Sequence, residues 1–218
     1  MENKNELDLK ELEKKAYKST FQDGLWDIFL GIIFLDFCLL SIEIISQLEI
    51  IFKYFLIVAP WNLIGVVILT LGKKYITTPR LGYVKFGPKR QKAKNKLIFF
   101  VIANVIGLIV LIVLFSSGIL ETLAIQQPIA ALLIGFLVIW LPLSSVAFIL
   151  KFSRLYVYAL MGGSSFFLTE LFYPLLGSPL DTIITFGLIG GLMLIIGITY
   201  LINFVSKYPN PEINVKQS

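Results

Sequence analysis

The chain has 218 residues, of which 57% are apolar or aromatic and only 15% charged, and its mean hydropathy is +0.84. Soluble domains run nearer 45–50% apolar and about 25% charged, so this composition excludes an ordinary soluble domain and also a disordered or collagen-like chain. With no His and one Cys, the chain lacks the residues for HExxH zinc chemistry, His-ligated haem, histidine acid–base catalysis, an internal disulfide or a CxxC redox pair. What remains is an integral membrane protein. Cys38 sits inside an apolar run and reads as a small buried hydrophobe.

Residues 1–24 predict a short amphipathic helix on the membrane surface. Leu9, Leu12 and Ala16 share one face, while Lys10, Lys14, Lys15 and Lys18 are placed to meet headgroups. No small-residue cleavage site follows the first span, so a signal peptide is not expected. Ser19 and Gln22 have the spacing of a capping box.

A helix needs about 20 apolar residues to cross a ~30 Å hydrocarbon core. Six stretches qualify: 25–46, 51–72, 97–116, 129–150, 153–173 and 182–205. In lipid every backbone polar group must be satisfied within its own segment, so helix prevails over the β-propensity of the many Ile and Val residues. The expected fold is all-α: a polytopic bundle of six transmembrane helices at 25–205, preceded by the amphipathic segment and followed by a tail at 206–218. If six spans alternate, one side collects 18 of the 19 basic residues and the other keeps only Lys53. By the positive-inside rule both termini are then cytoplasmic. The Lys, Ile and Asn bias points to an AT-rich prokaryotic genome and hence to the plasma membrane. In size and topology alone, such a chain resembles the vitamin-binding subunits of energy-coupling-factor transporters; that resemblance assigns no residue.

The strongest local feature is the loop at 73–96, with nine cations and no acid. Pro79, Gly82, Gly87 and Pro88 argue against one continuous helix there. Arg80, Lys85, Lys89 and Arg90, interleaved with Leu81, Tyr83 and Phe86, predict contact with anionic lipid, at about 1 kcal/mol per basic residue near the surface, or with an acidic protein partner. The loop also serves as the topology signal. No nucleic-acid motif accompanies the charge, so a nucleic-acid partner is not expected.

Carboxylates inside the bilayer cost several kcal/mol by insertion scales and each needs a reason. Asp27, in the first turn of its helix, is expected to meet the helix dipole and water. Asp36 lies eleven residues into the first span, about 16 Å at 1.5 Å per residue and so near the midplane. Glu43 follows seven residues on, and Glu170 lies at matching depth in the fifth span. Gly24, Asp27, Gly31 and Cys38 line the face opposite Asp36, which predicts a first helix with protein on both sides. Pro60, beside Trp61 and Asn62, and Pro142, before Ser144 and Ser145, break helices near mid-membrane and free the carbonyls of Leu56 and Val138. A polar cluster of Asp36, Glu43, Asn62 and Glu170, with Asn104 as a further member, follows from these depths. Gly187-x-x-x-Gly191, Ala159-x-x-x-Gly163 and Ala131-x-x-x-Gly135 mark helix-packing seams.

Three function classes fit. In the first, the protein binds or transports a small cationic or protonatable ligand at Asp36, Glu43, Asn62 and Glu170. In the second, it is a scaffold or regulatory subunit working through the basic loop, with the intramembrane acids as packing. The third, a membrane enzyme acting on lipid phosphates, is the least favoured, because the cytoplasmic acids are scattered. No cofactor and no metal is expected.

Overall fold

The computed structural model describes residues 21–42, 52, 54–81, 98–99, 102–104, 106–107 and 127–209. The described residues form helices and short turns without a strand. Helix α1 spans Leu25–Ser41. Among the described residues, four other helices, unlike the 17-residue α1, are long and apolar enough to cross a bilayer: α2 (Phe55–Arg80), α3 (Gln127–Leu150), α4 (Arg154–Leu176) and α5 (Leu180–Lys207). Most of the expected span at 97–116 lies outside the described residues, and those of its residues that are described are helical. The N-terminal amphipathic segment to residue 20 and the tail from residue 210 also lie outside them.

The prolines do not interrupt α2 and α3 as the sequence suggests. Proline has no amide to give to the carbonyl four residues back, and ahead of each one the helix widens by a π-turn. Tyr54–Val58 precedes Pro60, Lys73–Thr77 precedes Pro79 and Phe136–Trp140 precedes Pro142. In the second, the Thr78 amide donates to the Lys73 carbonyl; in the third, the Leu141 amide donates to that of Phe136. Both bonds reach back five residues instead of four, the mark of a π-turn. α2 therefore continues past Gly72, through Lys73 and Lys74, to Arg80, and the first part of the expected loop is helical.

The chain divides into two compact units, one of residues 1–86 with 190–218 and one of residues 87–189. In the first, α1 is held between α2 and the Gly190–Lys207 part of α5. On the α2 side, Gly65 faces Phe29 and Ile32, and Gly72 faces Leu25. On the α5 side, backbones approach so closely that only glycine fits. A Cβ on Gly24 would strike the Gly197 carbonyl, and one on Gly31 would lie 2.9 Å from the Gly190 carbonyl and 2.8 Å from Leu194 Cγ. Gly24 also takes φ of 75°, a left-handed turn that starts α1 and that side chains disfavour. Because Gly24 meets Gly197 and Gly31 meets Gly190, the two helices run antiparallel. The small-residue seam on α5 is thus Gly190 with Gly197; among the described residues nothing lies within 4 Å of where a Cβ on Gly191 would stand.

In the second unit, α3 and α4 pack through Gly135 and Gly163, the seam their small-residue spacing predicts: a Cβ on Gly135 would collide with the Gly163 carbonyl. Lys151, left-handed with φ of 53°, ends α3, and the Phe152 amide reaches back to the Ala147 carbonyl at 3.1 Å. That bond satisfies a helix-end carbonyl and turns the chain directly into α4. Tyr158, Ala159, Phe186 and Ile189 form the interior of this unit, with Phe166 and Phe186 edge to face at 5.5 Å.

Candidate functional site

Two aspartates on the α1 side of the first unit each meet α2, and their surroundings differ. Asp23 precedes the helix and is fully buried. Its Oδ1 accepts the Leu25 amide at 3.2 Å. Its Oδ2 accepts Lys73 Nζ at 2.5 Å and Thr77 Oγ1 at 2.6 Å. Both donors come from the π-turn ahead of Pro79, whose first and last residues aim at one carboxylate oxygen. Asp27, also fully buried, adds its attraction to the same ammonium. The expectation that Asp27 reaches water is therefore corrected: the α1 terminus is packed inside the unit, and its acids are matched by a lysine from another helix.

Asp36 is 7% exposed. Its Oδ2 accepts Asn62 Nδ2 at 2.6 Å, and that amide also donates to the Val58 carbonyl at 2.9 Å. With both acceptors served by one NH₂ group, the orientation of the Asn62 amide is fixed. Trp61 Nε1 donates to the Ile32 carbonyl at 2.9 Å, which pins α2 to the turn of α1 that carries Asp36. Asp36 Oδ1 is buried and has no hydrogen-bond partner among the described residues. Beside Asn62, a shallow apolar pocket of about 270 Å³ is lined by Phe55, Val58 and Ala59. It opens on the exposed side of α2, where Phe55 is 76% exposed.

Of the sequence-derived cluster, the structure brings Asp36 and Asn62 into contact. Glu43 lies outside the described residues. Glu170 is half-buried on α4 in the second unit, and Asn104, also half-buried, belongs to that unit. Of the expected lipid- or partner-binding cations, Arg80 donates from Nη1 to the Ile76 carbonyl at 2.9 Å at the end of α2; Lys85, Lys89 and Arg90 lie outside the described residues. Pro142 is followed by Ser145, whose hydroxyl donates to the Leu141 carbonyl at 2.8 Å, so that serine serves its own helix. Among the described residues, no three of Asp, Glu or Cys gather as a metal-ligand set.

Sequence reasoning missed the Asp23–Lys73–Thr77 network. Lys73 reads as the first residue of a solvated loop, because a hydropathy window ends where charge begins. The available signal is the i, i+4 spacing of Lys73 and Thr77, which puts that pair on one helix face.

No protein-family model, curated protein or solved structure matches the chain.

Proposed function

We propose that this multi-pass membrane protein binds or transports a small cationic or protonatable ligand, with the Asp36 carboxylate as its charged partner and Asn62 as the group that positions it. The observation that carries the reading is Asp36 Oδ1, buried and without a hydrogen-bond partner among the described residues, on a helix inside an apolar unit. A carboxylate there needs a compensating positive charge, because burying it bare is far more costly than burying a neutral polar group. Asn62 supplies a hydrogen bond but no charge. Glu43 and Glu170 are not required by this reading.

The same proposal includes six crossings, with both termini on the cytoplasmic face of a prokaryotic plasma membrane. Antiparallel packing of α1 against α5 supports an even number of crossings. The short connections α3–α4 and α4–α5 make consecutive helices cross in opposite directions. With α1, α2, α3, α4 and α5 alone the parity is odd, so one more crossing is needed between Arg80 and Gln127, where 97–116 has the length and hydropathy for it. The Asp23–Lys73 pair then lies at the cytoplasmic boundary, on the side that carries the positive charge.

The test is thermal unfolding of the detergent-solubilised protein against sodium, potassium, choline and a series of primary amines. At least one is expected to raise the midpoint in the wild type and to lose that effect in Asp36→Asn. Stabilisation that survives the substitution, or none from any probe, refutes the reading.

A further inference from the structure

The carboxyls of Asp23 and Asp36 stand thirteen positions apart in the chain, and the donors around them differ in number and charge. Asp23 receives an ammonium, a hydroxyl and a backbone amide. Asp36 receives one neutral amide, and its second oxygen is buried with no partner among the described residues. Resting on the reading above, we propose that Asp36 is held as a neutral carboxylic acid when no ligand is bound and acts as a proton-exchange site. A cation occupies this carboxylate only by displacing its proton.

Among the described residues, the titratable neighbours leave Asp36 without a counter-charge. On α1 these are Asp27, nine residues before it, and Cys38, two after. On α2 they are Lys73, eleven residues beyond Asn62 and already bound to Asp23, and beyond it Lys74, Tyr75 and Arg80, farther still along the helix from Asn62. On the part of α5 that packs against α1 they are Tyr200 and Lys207, both displaced from Gly190 toward the Asp23 end. No cation among the described residues of these elements reaches Asp36. An un-ionised acid with one unsatisfied oxygen costs far less in such a setting than a bare carboxylate, so the proton is the resting occupant.

The exchange balances in atoms and charge. The O–H bond of Asp36 breaks, the proton leaves to water, and the cation takes its place against the carboxylate. Net charge at the site is zero before and after, so the site never holds a bare charge in the bilayer. One proton is released per cation bound, and raising the pH strengthens cation binding.

The wild-type protein in lipid vesicles is the sample, and the first readout is the infrared carbonyl band of an un-ionised carboxyl at neutral pH. The band is expected in the wild type and is expected to be missing from Asp36→Asn, which keeps the shape of the neutral acid. The second readout is attachment of a lipophilic carbodiimide, which modifies un-ionised carboxyls, mapped by mass spectrometry. Asp36 is expected to be modified and Asp23 spared. The third is proton release into weakly buffered medium on adding sodium, potassium or octylamine. Wild-type spectra without an Asp36-dependent band overturn the proton occupancy, even where octylamine still stabilises the protein through Asp36. Equal modification of Asp23 and Asp36 also overturns it. A band with no release by any of the three cations overturns the ligand reading instead and leaves the proton-bearing carboxyl standing.

Discussion

Replacing Lys73 by Met removes the charged partner of a fully buried carboxylate while keeping most of the apolar stem. Breaking a buried ion pair from one side costs about 3–5 kcal/mol, because the charge left behind is unpaired. The Lys73 side chain is 27% exposed, so solvent screens part of the pair and the expected loss falls to about 2–3 kcal/mol. Thr77 is 4% exposed and donates to the same oxygen; Thr77→Val removes one hydrogen bond to a charged group, worth about 1.5–3 kcal/mol. Asp23→Asn removes the charge that Lys73 serves, so Asp23→Asn with Lys73→Met should cost less than the two single losses added. A coupling of about 1–2 kcal/mol is expected, within the range for residues in contact. The assay is reversible unfolding in mixed micelles titrated with dodecyl sulfate, followed by circular dichroism. If Lys73→Met falls within about 0.5 kcal/mol of wild type, as a surface substitution does, and the cycle shows no coupling, the pair does not hold α1 to α2.

The glycine seam gives a sharper contrast, between a glycine on α1 and one on α5. Gly31→Val should cost about 1–3 kcal/mol by overpacking against Leu194 and the Gly190 carbonyl, whereas Gly191→Ala, with nothing within 4 Å, should leave the same unfolding midpoint unchanged. Trp61→Phe deletes the donor to the Ile32 carbonyl and should cost about 1 kcal/mol, read in the same titration. Asp36→Asn should stay within about 1 kcal/mol of wild type, since the new side chain still offers an oxygen to Asn62; a larger loss would mean that Asp36 is ionised and structurally paired.

The helical class and four of the spans, those at 51–72, 129–150, 153–173 and 182–205, were legible because bilayer thickness sets a length and lipid forbids unpaired backbone. The Asp36–Asn62 contact was legible for a related reason: two polar side chains at similar depth on consecutive antiparallel helices have few other partners. Glycine at 24 and 31 anticipates a close neighbour for α1, yet the GxxxG spacing on α5 points to Gly187 and Gly191, whereas the packing uses Gly190 and Gly197. Spacing alone selects among overlapping glycine pairs only once the facing helix is known. The prolines were legible as perturbations, but not as π-turns, because a missing amide states what is lost and leaves open how the helix absorbs the loss. Lys73 was illegible for want of a partner: a cation at the end of a hydrophobic run snorkels to water unless a buried carboxylate from fifty residues earlier in the chain offers it a closer site.

Chain parity is the point where the fold and the proposed function are tested together. Gly24 against Gly197 and Gly31 against Gly190 set α1 and α5 antiparallel, while Asp23 against Lys73 sets the start of α1 beside the end of α2. The end of α2 therefore lies beside the start of α1, and the proposed crossing at 97–116 would put the start of α3 on the opposite face. In a variant whose one cysteine is removed by Cys38→Ala, single cysteines at Thr122, Lys89 and Gln217 separate the alternatives. An impermeant thiol reagent added to whole cells should label the Thr122 variant, while the Lys89 and Gln217 variants should react only after the membrane is opened. Labelling of the Lys89 and Thr122 variants from the same side would remove the crossing between α2 and α3. The positive charge would then no longer lie on one face, and Asp23–Lys73 would lose its place at the inner boundary. Asp36 would keep its contact with Asn62, because that contact depends on α1 and α2 alone.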